Sequence, residues 1–420
     1  MPMHPSASMK AVLSLIVILV VSLAIPARAQ QAATAKGSQE EINQQLLDRV
    51  QDLEKQIQQM KGQPAAPAPA PVATPAPEPV IDVPAVHEVA PRLKLNVFGD
   101  VGYEATDARH VTSNTFEIGS MDLFMTSRLS EKTSLLGEVL FIAAEDNSIS
   151  LDIERLLFQY RQNDYFGFGV GRYHSSIGYY NTAFHQGAWF ETAIGRPFMY
   201  AFDDEGGFLP LQEVGVTTYG KIPSGKLGLN YVAEIGNGRN HLLDGEPAQN
   251  AQDANNGKSV NVELFARPSA LPDTEFGFSI YHDYVTFSDN INHDELIATV
   301  HAIYVNSKYE FLNEAMMVRH TDTSTGAPGV FHTPAFYTQF SRAFGKYRPY
   351  FRYQYINAGV NEPIYGDPTD GPVVGRRQAP SAGLRYDFNE HAAFKLQYDR
   401  MTIRGEGSSN QLDSQFAFTF

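Results

Sequence analysis

The chain has 420 residues, 43% hydrophobic and 12% aromatic, with a formal net charge of -15 and no cysteine. That acidity excludes nucleic acid and anionic membrane surfaces as partners, and the absence of cysteine excludes a disulfide scaffold and a lipid-anchored lipoprotein. A mean hydropathy of -0.27 does not exclude a membrane protein, because barrel strands alternate an apolar face with a polar one.

Lys10 precedes an uninterrupted apolar run from Ala11 to Ile25, and Ala27 and Ala29 put small residues at the positions a signal peptidase reads. Residues 1–29 therefore read as a signal peptide, too short to span a membrane as a helix. Cleavage after Ala29 removes Lys10 and Arg28 and makes the balance still more acidic. No later stretch approaches the roughly 18 consecutive apolar residues a helical span needs, so any membrane residence falls to strands.

Residues 30–61 read as a periplasmic coiled-coil segment. From Gln39 to Lys61 the apolar residues Leu46, Val50, Leu53, Ile57 and Met60 follow heptad spacing, with Val50 and Ile57 at one seam position and Asn43 on the same position. About three heptads is close to the lower limit, so the helix is expected only in an oligomer, and the pattern allows a dimer or a trimer. A solvated amphipathic helix without a partner is the alternative. Residues 62–91 are rich in proline and alanine, and such a tract stays extended at about 3.1 Å per residue. It reads as a spacer, with a proline-rich ligand as the other possibility.

Residues 92–420 carry the fold. Sixteen alternating segments are predicted, at 93–105, 115–129, 132–143, 149–162, 165–172, 212–221, 225–237, 258–268, 274–285, 295–305, 308–320, 332–344, 347–357, 376–387, 391–401 and 411–420. Every second connection is short, as at Ser130-Glu131, Asn163-Asp164, Gly345-Lys346 and Asn389-Glu390, while 238–257, 321–331 and 358–375 are long. Short turns at one rim and long loops at the other is the plan of an outer-membrane barrel. The last six residues, Gln415 to Phe420, alternate up to the carboxylate, which suits a terminal barrel strand; a soluble sandwich can end in the same way. The expected fold class is all-β: a sixteen-stranded antiparallel transmembrane β-barrel preceded by a short coiled-coil helix and a Pro/Ala-rich linker.

Parity assigns the faces. Tyr347, Phe351, Tyr353 and Tyr355 oppose Arg348, Arg352 and Gln354. Phe394, Leu396 and Tyr398 oppose Lys395, Gln397 and Asp399, while Leu156, Phe158 and Tyr160 oppose Arg155, Gln159 and Arg161. Leu384 and Tyr386 oppose Arg385 and Asp387. Charge of both signs on the less apolar face favours a wet interior. The expected pore lining is Arg155, Arg161, Arg348, Arg352, Arg385 and Lys395 for the basic part, with Asp387 and Asp399 for the acidic part. A slip of one residue would invert these assignments.

The longest connection, 173–211, holds Tyr179, Tyr180, Phe184, Phe190, Phe198, Tyr200, Phe202 and Phe208 together with Trp189, the only tryptophan. So aromatic a loop must bury itself. Folding inward would narrow the pore, making Tyr179, Tyr180, Phe184, Trp189, Phe190 and Arg196 the candidate constriction; packing at a subunit interface or capping the barrel would bury it equally. The stretch VGRYHSSIGYYNTAFHQGAWFETAIGRPF, with the strand before it and Phe420, resembles the Gram-negative outer-membrane porins, in particular the broad group related to phosphate-selective porins. The resemblance covers about residues 93–420. It implies a trimeric sixteen-stranded barrel with the third loop in the lumen, passive passage of small hydrophilic solutes and, in the anion-selective members, ladders of Arg and Lys. With 32 Lys and Arg against 47 Asp and Glu, phosphate selectivity is not carried over.

Other chemistry is weaker. His174, Ser175 and Ser176 offer a base and hydroxyls, but neighbours on a strand end point to opposite faces. Asp203, Asp204 and Glu205 cluster hard oxygens without the spacing of a calcium loop. Gly167, Gly169 and Gly171 precede no helix, so they are not a phosphate loop and read as room beside the folded loop. The expectation is a non-enzymatic channel without cofactor or metal, in the outer membrane of a Gram-negative bacterium. Its partners would be outer-membrane lipid, small hydrophilic solutes and two further copies of the chain. The alternative is a barrel that anchors a periplasmic coiled-coil tether to the cell wall, with peptidoglycan as partner.

Overall fold

The computed structural model describes residues 92–420 apart from 110–113, 144–147, 185–186, 202–208, 242–246, 250–251, 254, 287–291, 323–328, 363 and 366–373. The leader, the heptad segment and the Pro/Ala spacer lie outside the described residues, as do Phe202, Asp203, Asp204, Glu205 and Phe208.

Eighteen strands are found among the described residues. They are β1 (Arg92–Thr106), β2 (Thr115–Arg128), β3 (Thr133–Ala143), β4 (Ile149–Arg161), β5 (Gly167–His174), β6 (Gln212–Lys221), β7 (Leu229–Gly236), β8 (Arg239–His241), β9 (Pro247–Gln249), β10 (Ser259–Ala266), β11 (Thr274–Thr286), β12 (Asn292–Val305), β13 (Tyr309–Asp322), β14 (Gly329–Arg342), β15 (Tyr347–Asn357), β16 (Arg376–Asn389), β17 (Ala392–Ile403) and β18 (Gly407–Thr419). The three-residue strands β8 and β9 make a small hairpin in the connection between β7 and β10, which pair directly with each other. The other sixteen form one antiparallel sheet that closes where β1 meets β18, with Phe98 opposite Thr419 and Thr106 opposite Gln411. The seam is locked at its end by Val97 N–H donating to the Phe420 carbonyl (2.9 Å) and Phe420 N–H to that of Val97 (3.0 Å). Among the described residues, closure gives each of the sixteen wall strands a partner on both sides, which is what a bilayer requires of a sheet. All sixteen expected strands are present; the β8–β9 hairpin was not foreseen, since strands of three residues are too short to show alternation.

Three of the short turns share one device. The side-chain oxygens of Asn163, Asn306 and Asn389 each accept a backbone N–H two residues on, at 2.8 Å from Tyr165, 3.0 Å from Lys308 and 2.8 Å from His391. An asparagine that bonds its own following backbone makes the reversal without help from the rest of the chain.

The parity read from the sequence describes the wall. Phe351 and Leu396 face outward at 48% and 44% exposure, while Arg352 and Lys395 on the same strands point inward at 1% and 0%. Leu384 on β16 stands opposite Leu396 on β17, so the outer face is continuously apolar there. Leu396→Arg should destabilise the barrel by about 2–4 kcal/mol, less if the position lies near a membrane interface. Denaturant titration in lipid vesicles measures it.

Parity alone misses two irregularities. On β4, Glu138 of β3 faces Arg155 but the next residue, Val139, faces Ile153, so Glu154 is the extra residue of a bulge. Glu154 and Arg155 therefore both turn inward, and the face that carries Ile149, Leu151 and Ile153 outward continues as Leu156 and Phe158. On β5, Gly171 has φ +136°, and a Cβ there would come within 2.0 Å of the Leu156 carbonyl oxygen. Only glycine fits that backbone, and the kink brings Arg172 inside, within 3.7 Å of Asp152.

The interior is not uniformly wet. Tyr281 and Val285 of β11, Ile297 and Ile303 of β12, Leu312, Met316 and Val318 of β13, Ala335 and Tyr337 of β14 and Ile356 of β15 are buried in one apolar cluster. Ile177, Tyr180, Met199, Tyr200 and Leu209 of the long β5–β6 loop belong to it as well. Packed side chains fill this part of the cylinder, the apolar ones interleaved with buried polar residues such as Asp283, Glu295, Thr299, Glu310 and Gln339.

Candidate channel and its inward-folded loop

The described residues of the loop from Ser175 to Leu211 lie inside the barrel and are fixed to the wall by side chains that parity points inward. A four-residue helix, α1 (Tyr180–Ala183), has no N-cap side chain of its own. Instead the Glu314 carboxylate on β13 accepts the N–H groups of Tyr179 (2.7 Å) and Tyr180 (3.0 Å). The same carboxylate accepts the hydroxyls of Tyr200 and Tyr337, each at 2.7 Å. One side chain thus satisfies four donors from two loop segments and the wall, and charge-assisted bonds of this kind are the stronger ones. Burial pushes the Tyr200 phenol well above its ordinary range, and the Glu314 charge adds to it, so Tyr200 stays a donor. Ser176 is held likewise by Glu234, with its N–H at 2.9 Å and its hydroxyl at 3.1 Å.

The far limb of the loop is held by cations and amides. Arg385 donates to the carbonyls of Trp189 (2.7 Å) and Glu191 (2.9 Å), and its guanidinium lies 4.9 Å from the Trp189 ring centre. Lys395 donates to the carbonyls of Ala188 and Ala193, and Arg352 to that of Gly195 (2.8 Å). Gln397 grips Ile194 at both backbone groups, N–H (2.9 Å) and carbonyl (3.2 Å), while Gln354 accepts from Phe198 N–H (2.9 Å). Arg196 ties the loop to itself, donating to the carbonyls of Tyr200 (2.6 Å) and Phe184 (3.2 Å) and to the Asn181 side chain (3.1 Å).

A cavity of about 840 Å³ remains between this limb and the opposite wall. Strands β1, β2, β4, β17 and β18 line it from one side, and Gly187, Glu191, Ile194, Gly195, Arg196 and Phe198 from the other.

Of the residues expected in the lining, Arg352 and Asp399 border this cavity. Arg385 and Lys395 point inward but lie behind the loop, bound to its carbonyls. Arg155 is paired with the buried carboxylate of Glu138. Arg348 donates to Ser341 (3.3 Å) and the Ser307 carbonyl (3.2 Å) near the short turns, Asp387 accepts from Arg385 (2.8 Å), and Arg161 sits exposed at the rim beside Asp164. Of the expected constriction residues, Arg196 borders the cavity; Tyr179, Tyr180 and Phe184 belong to the apolar filling, and Phe190 packs on Phe98 at 4.9 Å. The acids Asp100, Glu104, Glu117, Asp152 and Asp413 line the cavity and were not singled out from the sequence. Their signal was the same alternation, on strands where fewer aromatic residues marked the opposite face.

The other sequence candidates resolve differently. Ser175 donates its hydroxyl to the Pro210 carbonyl, and His174 lies 3.7 Å from Glu154. The room at Gly167 and Gly169 is taken by Tyr219 and by Leu157 and Thr217, wall neighbours rather than the loop.

No protein-family model and no curated protein matches the chain. Solved structures do. The chain is similar to an anion-selective porin from Comamonas acidovorans, with TM-score 0.55 and 9% identity, covering 79% of this chain and 100% of that one. It is also similar to OmpT, an outer membrane protein of Vibrio cholerae, in a trimer form (TM-score 0.51, 11% identity, 79% and 100% covered). A third is OmpF of Salmonella typhi in complex with daunomycin (TM-score 0.50, 11% identity, 78% and 97% covered). At such identities the likeness is one of fold: a sixteen-stranded closed barrel of the kind seen in Gram-negative outer-membrane porins and channels.

Proposed function

We propose that the chain is an outer-membrane porin, a channel for passive diffusion of small hydrophilic solutes or ions across the outer membrane of a Gram-negative bacterium. The observation that carries this reading is the polar cavity left between the inward loop and the wall of β1, β2, β4, β17 and β18, inside a barrel with an apolar outer face. A barrel built only as an anchor would need no such space. The side chains and loop packed along β11–β15 narrow the cross-section, so the unit conductance should be small for a barrel of sixteen strands. Transport here needs no catalysis: the selecting elements are the width beside Glu191 and Arg196 and the charges that border it. A homotrimer is part of the proposal, supported by the trimer form of the similar Vibrio cholerae protein, and comparison of unheated and heated samples on a denaturing gel tests it. Reconstitution of the purified full chain in planar bilayers tests the function; stepwise conductance is expected, and a silent bilayer containing folded barrel would refute it.

A further inference from the structure

A charged side chain on the lipid face of a barrel is costly at the bilayer midplane and nearly free at headgroup level, so outward-facing arginines mark a depth. On β17 the parity that turns Phe394, Leu396 and Tyr398 outward continues to Arg400. On β16 the outward parity of Leu384 ends at Arg376, which stands opposite Asn357 of β15. Arg404, in the turn after β17, donates its own N–H to the Arg376 carbonyl (2.8 Å), so these two lie side by side at the rim that carries the long loops. All three arginines are exposed. Tyrosines lie just below them. Tyr398 precedes Arg400 by two residues on the same face, and the Arg376 guanidinium is 5.9 Å from the Tyr355 ring centre. Tyrosines collect at the boundary between hydrocarbon and headgroups, which sets the arginines among the headgroups.

The hydrogen-bond and ring partners of this trio are neutral. Arg400 donates to the Asn410 side chain (2.7 Å), Arg404 to the Ala358 carbonyl (3.0 Å) and the Asn357 side chain, and Arg376 rests on the Tyr355 ring. Such contacts aim a guanidinium without cancelling its charge. Two acids stand nearby. Asp107, just past β1, acts on Arg400 through space, while its carboxylate accepts the Asn410 N–H and side-chain amide, each at 2.6 Å. Glu406 acts on Arg377, whose guanidinium points inward, 5.8 Å from the Phe198 ring centre. Other exposed cations of the same rim touch a carboxylate directly: Arg319 of β13 lies 3.6 Å from Asp294, and Lys258 is paired with Asp253. In a chain of net charge -15, a basic patch of this kind does not follow from composition.

The guanidinium fork matches phosphate oxygens, and the pairing is a charge-assisted one. Arg400 and Arg404 are four residues apart, about 13 Å along an extended chain, which is too far for one phosphate to bridge. We propose that this rim binds a lipid of the outer leaflet whose headgroup carries more than one phosphate. Arg400 holds one phosphate and the Arg376 and Arg404 pair another, with the acyl chains lying on the apolar face of Leu396 and Leu384 below. The site is on the outside of the cylinder, so it stands or falls independently of the passage.

Native mass spectrometry tests this on the full-length protein, refolded into lipid-free detergent micelles and titrated with diphosphoryl or monophosphoryl lipid A. The diphosphoryl form should bind about tenfold more tightly, the difference one charge-assisted contact makes. Arg400→Gln/Arg404→Gln should remove most of that preference while the barrel stays heat-modifiable on a gel, and Arg376→Gln gives the same reading if the double variant does not fold. Arg319→Gln, whose charge faces Asp294, should leave the preference as it is. Equal affinity for the two lipids, or a preference that neither rim variant lowers, overturns the inference. A preference lowered equally by Arg319→Gln would show a diffuse charge effect and overturn it too. Displacement of the lipid by inorganic phosphate at equal concentration would assign the patch to a soluble anion instead.

Discussion

Glu314→Ala should release the loop. The substitution strips the acceptor from the N–H groups of Tyr179 and Tyr180 and from the hydroxyls of Tyr200 and Tyr337, all on the packed side of the interior. A buried donor left without a partner costs roughly 1–3 kcal/mol, so even if two of the four find water the loss is at least about 2 kcal/mol. The β-sheet does not depend on these bonds, because its ladder is made of backbone groups. The expected outcome is therefore a folded barrel whose loop leaves its seat: unit conductance rises with added noise, and chymotrypsin gains access to the bond after Tyr180, which is buried at 1% exposure in the seated loop. Glu314→Gln keeps one carbonyl oxygen and should fall between. A variant with unchanged conductance and a protected Tyr180 bond would show that the cations of the far limb hold the loop alone.

Gly171→Val should fail earlier, during folding. At φ +136° an L residue is strained wherever it is placed, and here the new Cβ would also overlap the Leu156 carbonyl oxygen of the neighbouring strand at 2.0 Å. Backbone cannot yield there without breaking the β4–β5 ladder, in which Leu157 faces Gly171. The yield of heat-modifiable barrel from refolding should collapse. Gly169→Ala is the control, because its Cβ would meet only the Leu157 and Thr217 side chains at 3.0 Å, and these can shift. Refolding of both variants at equal yield would contradict the account.

The barrel was legible because a two-residue period is a property of each strand by itself. Leu396 and Lys395, or Phe351 and Arg352, declare their faces without reference to anything else in the chain. The inward course of the β5–β6 loop was legible for a similar reason: so many aromatic residues had to find cover. What alternation cannot convey is which inward charge meets water and which meets protein. Arg385 and Lys395 look like lining from their own strands, and only the path of residues 188–195 shows them occupied. The bulge at Glu154 shifts the outward positions from odd to even, Ile153 to Leu156, and a parity read only over Arg155 to Arg161 does not reach across that shift. The apolar cluster was hidden because Ile297, Leu312 and Val318 occupy the parity otherwise given to polar groups.

The division of the interior bears on the mechanics of the cylinder. Strands β11–β15 are buttressed from within by packed apolar and hydrogen-bonded polar side chains, whereas the flank formed by β18, β1 and β2 borders the cavity. The wall should consequently be stiff on one side and compliant on the other, with the join between first and last strands on the compliant flank. Amide exchange slow along β12–β14 and faster beside that join would be its signature, and thermal rupture would begin where the two chain ends are stitched together.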